Sequence, residues 1–209
     1  IPDLSLGPSG MWPDTIFPAL RKYRNVTGRF GGDARLAWHG DQLTGGAMLR
    51  LDGISGETDD ASLDGISGTI TLDNLFPLST APDQRLRIRK IDAGVVVTDT
   101  SIRFALLPSG VLSIEHAEAS LADGKIIIVA PAIDPIAETV QATLTFEGVR
   151  VEQIPGLGKI DGFEATGLID GRLPIRLTGS KIAIEGGMLA ARGGGLLRLK
   201  SERAEQVLK

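Results

Sequence analysis

The stretch GFEATGLIDGRLPIRLTGSKIAIEGGMLAARGGGLLRL, residues 162–199, decides the fold class. Many of its apolar residues are separated by one residue, and alternation with a period of two puts them on one face of a pleated strand. Glycines at 186–187 and 193–195 supply the conformational freedom that turns need. The stretch therefore predicts successive strands with one shared apolar face. Its alternating residues are Phe163, Ala165, Ile169, Leu173, Ile175, Leu177, Ile182 and Ile184.

The same pattern recurs upstream, most cleanly at 138–152, where Val140, Ala142, Leu144 and Phe146 alternate with polar residues. Turn sequences at 39–41, 108–110 and 123–124 join such runs, and links this short imply antiparallel pairing. We therefore expect a mainly β protein. Ten or more antiparallel strands would lie between residues 26 and 199, mostly in meander order, within a single domain covering 1–209.

A six-residue sequence, LDGISG, occurs twice, at 51–56 and at 63–68. The spacing of 12 residues suits one strand plus one turn. Asp–Gly pairs favour tight turns. The pairs at 52–53 and 64–65 therefore predict two turns.

Both ends of the chain predict helices. Residues 14–24, DTIFPALRKYR, place Ile16, Leu20 and Tyr23 on one face of a short helix, and Asp14 or Thr15 can cap it. Residues 201–209 resemble the first turns of a second helix. The chain starts at Ile1 and ends in a charged run, so we expect a segment of a longer protein.

Composition excludes several classes of function. The net charge is −4 with both signs interspersed, unlike the basic patch of a nucleic-acid binder. The absence of cysteine excludes disulfides and cysteine metal sites. Aromatic residues are 4% of the chain, whereas its 27 glycines exceed the roughly 15 that average usage predicts. The composition therefore favours a turn-rich sheet with thin aliphatic side chains.

The sequence offers no catalytic motif. His39 and His116 stand alone, without the spacing of a zinc site. No nucleophile elbow or Walker loop occurs, so we assign no catalytic residue, metal ligand or cofactor. Arg85, Arg87 and Arg89 alternate with apolar residues and could form a phosphate-binding row, although a solvated outer face is the usual explanation.

Two segments resemble the YdbH family. In the first, residues 69–98, a strand ends in a Pro-Leu-x-Thr turn, followed by a glutamine and a second alternating strand. The second segment, 156–199, is similar to the family's Gly-x-Leu-Pro-Ile strand and its following hairpin. A hairpin from Trp38 to Gly45 resembles the family's early Trp-x-x-Gly type hairpin. The matching residues of the two segments are Pro77, Leu78, Thr80, Gln84, Gly94, Gly167, Gly171, Leu173, Pro174, Ile175, Gly186, Gly187 and Gly195.

The resemblance implies an AsmA-like protein, related to TamB, in the periplasm of a Gram-negative bacterium. An N-terminal helix outside this chain would anchor the full-length protein in the inner membrane. A long, twisted antiparallel sheet would curl into an open, taco-like groove that carries phospholipids to the outer membrane. A small outer-membrane lipoprotein, YnbE, would bind the C-terminal end by strand addition. An older label for the family is dicarboxylate transport.

A groove for acyl chains requires a contiguous apolar surface, because each CH₂ group removed from water contributes about 0.8 kcal/mol. We expect aliphatic and aromatic side chains of the alternating strands to line it. The alternative is a structural or adhesive β-scaffold, in which the same side chains fill a closed core. The predicted lining residues are Ile102, Phe104, Leu106, Val140, Leu144, Phe146, Phe163, Ile169, Leu173, Ile175, Leu177, Ile182 and Ile184.

Overall fold

The computed structural model describes residues 4–6, 23–134, 137, 139–154, 163–178 and 181–199. Strands account for most of this part of the chain. They are β1 (Leu4–Leu6), β2 (Arg24–His39), β3 (Gln42–Glu57), β4 (Ser62–Leu75), β5 (Leu78–Thr80), β6 (Gln84–Asp92), β7 (Val96–Leu106), β8 (Leu112–Leu121), β9 (Gly124–Ile133), β10 (Thr139–Arg150), β11 (Phe163–Thr178), β12 (Lys181–Ile184) and β13 (Met188–Leu199).

All 13 strands belong to one antiparallel sheet in meander order, as the alternation and short links predict. Each strand pairs with its neighbour in sequence, with two exceptions. The short strand β5 pairs with β4, which also pairs with β6, and β11 pairs with both β12 and β13. The described strands do not close into a ring, so the sheet is open. The prediction of a mainly β, antiparallel open sheet is confirmed.

The predicted helices fall almost wholly outside the described residues, which omit 7–22 and 200–209. The first was predicted to extend to Arg24, and this limit is wrong, because Arg24 already begins strand β2. Arg24 is extended because it pairs with Glu57 of β3. Within the described ranges, the helical structure is a single 3-10 turn, Val151–Gln153.

The predicted turns have two outcomes. Turns at 40–41, 108–109 and 122–123 join consecutive strands, as expected. The Asp–Gly pairs at 52–53 and 64–65 instead lie inside β3 and β4. Gly53 and Gly65 have φ of 62° and 73°, values that favour glycine in bulges as well as in turns. Pairing with neighbouring strands continues on both sides, so these residues form irregularities within strands and the prediction of turns is wrong.

The two LDGISG copies pair with each other. Leu51 of the first copy lies opposite Gly68 of the second, and Gly56 of the first lies opposite Leu63 of the second. The first residue of each copy thus faces the last residue of the other, which is a local twofold relation. Its hydrogen bonds also correspond, because the Gly53 N–H donates to Ser67 Oγ and the Gly65 N–H donates to Ser55 Oγ, both at 3.0 Å.

Strands β5 and β6 pair one after the other with the same edge of β4, and residues 81–83 separate them. The side chain of the buried Gln84 holds the segment between β5 and β6 in place. Its Nε2 donates to the carbonyl oxygens of Ala81 and Pro82, and its Oε1 accepts from the Thr71 N–H at 2.6 Å. Thr80 Oγ1 accepts from the Leu106 N–H in β7 at 2.8 Å. These bonds satisfy buried polar groups that the interrupted ladder would leave unpaired.

Backbone irregularities with positive φ recur at adjacent positions of neighbouring strands. A Cβ at Gly28 in β2 would lie 2.7 Å from Ile54 Cα, beside Gly53 in β3. Gly65 in β4 lies beside Arg89, and Arg89 lies between the Ile88–Thr100 and Lys90–Thr98 pairs, at the level of Asp99 in β7, where φ is 51°. Farther along the sheet lie Gly148 in β10, Gly167 in β11 and Gly193 in β13. Bulges bend strands and increase their twist, so this series favours a curved sheet.

Strand β10 lies close to the backbone of β9 at Gly124. A Cβ there would lie 2.5 Å from the carbonyl carbon of Gly148 and from the Val149 nitrogen. We expect Gly124→Ala to lower the free energy of unfolding by about 1–3 kcal/mol, because backbone must move to admit the methyl group. Urea unfolding followed by circular dichroism measures the change.

Gly194→Ala is the matched control, since a Cβ at Gly194 meets no atom within 4 Å. Its free energy of unfolding should stay within about 0.5 kcal/mol of the parent value. Equal stabilities for the two variants would contradict the close approach of β9 and β10.

Candidate functional site: a continuous apolar face

One face of the sheet carries an unbroken row of directly paired residues that runs from β2 to β11. Residues directly opposite each other in an antiparallel pair have side chains on the same face. Each member of the row is apolar or glycine, so we call this side the apolar face. The row is Phe30, Leu51, Gly68, Leu86, Ile102, Ala117, Ile128, Leu144 and Leu173.

The other predicted lining residues whose side chains are described occupy positions on this same face. Phe146 pairs with Ile126 and Gly171, and Phe104 pairs with Ile114. Ile175 pairs with both Ala142 and Ile184. The sheet thus brings together residues that are distant in sequence. The remaining pairs on this face are Leu106 with Leu112, Val140 with Leu177, and Ile169 with Val149.

Two predicted residues are described only by backbone pairing. Phe163 lies opposite Leu199 and Ile182 lies opposite Leu177, and their side chains lie outside the described part of the structure. That any of the 13 residues contacts lipid stays a prediction.

The sequence prediction missed several members of the row. In β9 the run Ile126 to Val129 is apolar on both faces, which hides the alternation. In β8 the apolar face is built from Ala117 and Ala119, whose small side chains give a weak signal. The alternating strand that contains Leu86 was recognised, but nothing in it indicated that it shares a face with Ile102.

Burial varies along the apolar face. Six of the eight buried apolar residues among those described lie on it, within β6 to β10: Ile88, Ala117, Ala119, Leu121, Ala130 and Val149. Toward the ends of the sheet the face is open. Trp38 is 74% exposed and Ile184 is 60% exposed. The apolar face therefore combines a covered middle with accessible ends.

The opposite face, which we call the polar face, is charged. Sequence neighbours of the apolar row form a second row of directly paired residues on this face. It contains Arg50, Thr69, Arg85, Arg103 and His116. Ion pairs join neighbouring strands on this side. They include Arg29 with Asp52, Arg89 with Asp64 at 2.6 Å, Lys125 with Glu118 at 2.6 Å, Arg192 with Asp170 at 2.7 Å, and Arg176 with Glu185 at 2.7 Å.

Two of these pairs lie next to the irregular backbone positions. Asp170 accepts one hydrogen bond from Arg192 Nε and one from the Gly148 N–H, both at 2.8 Å, and a second Arg192 nitrogen lies 2.7 Å from its carboxylate. The Arg192 guanidinium and then this N–H hold the pKa of Asp170 below its usual value. Likewise, hydrogen bonds from Arg89 and then Ser55 lower the pKa of Asp64. The carboxylates thus connect strands where the regular ladder is disturbed.

In the described part of the chain, no group of three or more His, Cys, Asp or Glu side chains is placed to hold a metal ion. Nor does that part contain a helix long and apolar enough to span a bilayer. The feature that the sheet does provide is an extended apolar surface backed by a charged one.

Comparison with protein-family models gives one finding. The model described as "YdbH-like: Intermembrane phospholipid transport protein YdbH" matches residues 17–208, which is most of the chain. The chain belongs to the YdbH-like family. The resemblance inferred from the residues around Gln84 and Leu173 is thereby confirmed. Comparisons of this YdbH-like chain with curated proteins and with solved structures give no significant match.

Family membership implies intermembrane phospholipid transport for this YdbH-like chain. The open sheet and its apolar face are compatible with a role that needs a surface for acyl chains.

Ionised Asp170 should make stability depend on pH. Its pKa is lowered in the folded state, so its contribution is present above the ordinary carboxylate pKa of about 3.9 and is lost as pH falls below it. We expect Asp170→Asn to lower stability at pH 7 and to reduce the loss of stability between pH 7 and pH 3. Urea midpoints at the two pH values in low salt test this.

Asp41→Asn, in the turn between β2 and β3, is the control, because no ion pair to Asp41 is found among the described residues. It should leave the pH dependence of the parent protein unchanged. An Asp170→Asn variant with the full parental pH dependence would show that the Arg192 pair does not contribute.

Proposed function

We propose that the apolar face forms a groove along which phospholipid acyl chains move between the inner and outer membranes. The observation that carries the proposal is the registered apolar row from Phe30 to Leu173, which crosses nine strands without a charged residue. Headgroups would remain at the open side, in contact with water. The older suggestion of dicarboxylate transport finds no support in this row, since it contains no cation to bind a carboxylate.

The dimensions suit such a path. The row crosses nine strands, and its eight spacings of about 4.8 Å give it a length of roughly 38 Å. The hydrocarbon depth of one leaflet is about 15 Å, half of the roughly 30 Å core of a bilayer. A groove of this length could hold several lipids in line. Curvature from the irregular positions would bring the strand ends toward each other around it.

The cellular setting is part of the same proposal. A groove that connects two membranes would lie in the periplasm, with an inner-membrane anchor N-terminal to this segment. At the C-terminal side, β12 and β13 form the last position of the sheet, and no described strand pairs with their outer edge. Such an edge can accept a further strand. We propose that a small outer-membrane lipoprotein of the YnbE type binds there.

The groove proposal predicts a face-specific effect of a carboxylate. Ile175→Asp should reduce phospholipid bound to the purified protein at least tenfold, because a charge on the apolar face opposes acyl-chain burial. Lipid extraction and mass spectrometry measure bound phospholipid. Transfer of fluorescent phospholipid between vesicles provides a second readout.

The matched control is Gln141→Asp. Gln141 is exposed in β10 and pairs with Arg176 on the polar face, next to the Ala142 and Ile175 pair. It receives the same carboxylate at the same level of the sheet, and lipid binding should remain at the parental level. Circular dichroism confirms that both variants are folded. Folded Ile175→Asp with undiminished lipid would refute the groove, and parent protein without phospholipid would favour the scaffold alternative.

A further inference from the structure

The polar face contains a depression in which arginine side chains meet hydroxyl groups. Arg87 of β6 lies directly opposite Ser67 of β4 on one side and Ser101 of β7 on the other. Elsewhere on this face, arginines such as Arg29 and Arg192 meet carboxylates of neighbouring strands. Arg87 is exposed, and no ion pair or hydrogen bond from its side chain is found within the described residues.

The neighbouring position adds to the positive charge. Arg85 lies directly opposite Arg103, and like charges facing each other across two strands are unfavourable. Arg103 is compensated by Glu115 at 3.0 Å, whereas no carboxylate partner of Arg85 is found in the described ranges. An anion bound beside these residues would offset the repulsion.

The depression is lined mainly by polar and charged residues. Its volume is about 450 Å³, and its lining on the polar face is Gly65, Ser67, Arg87, Arg89, Asp99 and Ser101, while Ile88 and Thr100, which pair with each other, contribute from between them. Gly65 keeps the space open, because a Cβ there would come within 2.9 Å of Arg89 Cβ.

A further feature supports a built site. The guanidinium of Arg89 is held by both oxygens of Asp64, at 2.6 and 2.9 Å, so its position is fixed before any ligand arrives.

We propose that this depression binds a phosphate group. Guanidinium groups recognise phosphate oxygens with paired, charge-assisted hydrogen bonds, and the serine hydroxyls can donate to the remaining oxygens. Asp99 is the one carboxylate lining the depression, and its charge opposes binding. The phosphate can belong to an anionic phospholipid headgroup or to a soluble phosphoester. The site is on the face opposite the proposed lipid groove and does not depend on it.

The experiment titrates the purified protein with inorganic phosphate in low salt, followed by calorimetry and ³¹P line broadening. Arg87→Ala should weaken binding about tenfold or more through loss of charge-assisted bonds. Asp99→Asn should tighten binding several-fold. Arg35→Ala is the matched control, because Arg35 is exposed on the same face in β2 and lies outside the depression. It should bind phosphate like the parent protein.

A second arm separates the two sources of phosphate. The same proteins are sedimented with phosphatidylglycerol vesicles and with phosphatidylcholine vesicles. Selective binding to phosphatidylglycerol that Arg87→Ala abolishes assigns a lipid headgroup, whereas phosphate binding without vesicle binding assigns a soluble phosphoester. Absence of saturable phosphate binding, or equal loss in Arg87→Ala and Arg35→Ala, overturns the proposal. Ile175→Asp should leave phosphate binding unchanged, which separates this site from the groove.

Discussion

The structure depends on keeping one register across many strands. A side-chain period of two means that a shift of one residue in any pairing would turn the apolar set of that strand to the polar face. The row from Phe30 to Leu173 exists only because every pairing from β2 to β11 avoids such a slip. The ion pairs on the other face favour the correct register, since Arg89 and Asp64 or Arg192 and Asp170 meet only in this pairing. The two faces therefore depend on each other, because ion pairs on the polar face favour the register that aligns the apolar residues on the other face.

The fold class was predictable from local sequence. Alternation at 138–152 and at 162–199, with turn residues between the runs, is enough to predict antiparallel strands. The Asp–Gly pairs at 52–53 and 64–65 show the limit of local reasoning. Gly53 and Gly65 do adopt positive φ, but this conformation serves an irregular position in a strand as well as a turn. Pairing with a neighbouring strand decides between the two, and a sequence pattern does not contain that information.

The candidate site was predictable in part, for a related reason. Alternation identified residues such as Leu144, Leu173 and Ile175, and the register then placed them on one face. The alanines of β8 and the uniformly apolar run of β9 gave no comparable signal. The polar face was less accessible still, because ion pairs such as Arg192–Asp170 and Arg89–Asp64 join residues that are 22 and 25 positions apart in sequence. Partners at that separation are set by strand lengths and irregularities together. Residues that carry the family resemblance, such as Gln84 and Gly187, likewise lie at breaks between strands, beside 81–83 and between β12 and β13.

The meander order has a consequence for how such a protein is made. Strands pair with sequence neighbours, so each new hairpin can dock on the edge that the previous one has just formed. Contacts of this kind are local, and local contacts favour rapid folding. A chain that emerges from a translocation channel with its N-terminus first could therefore build the sheet progressively, without waiting for its C-terminus. By the same reasoning, gain or loss of a hairpin would change the length of the sheet by two strand spacings and leave the remaining pairings intact. The length of the sheet would then change in small increments, as in other architectures whose units contact only their neighbours.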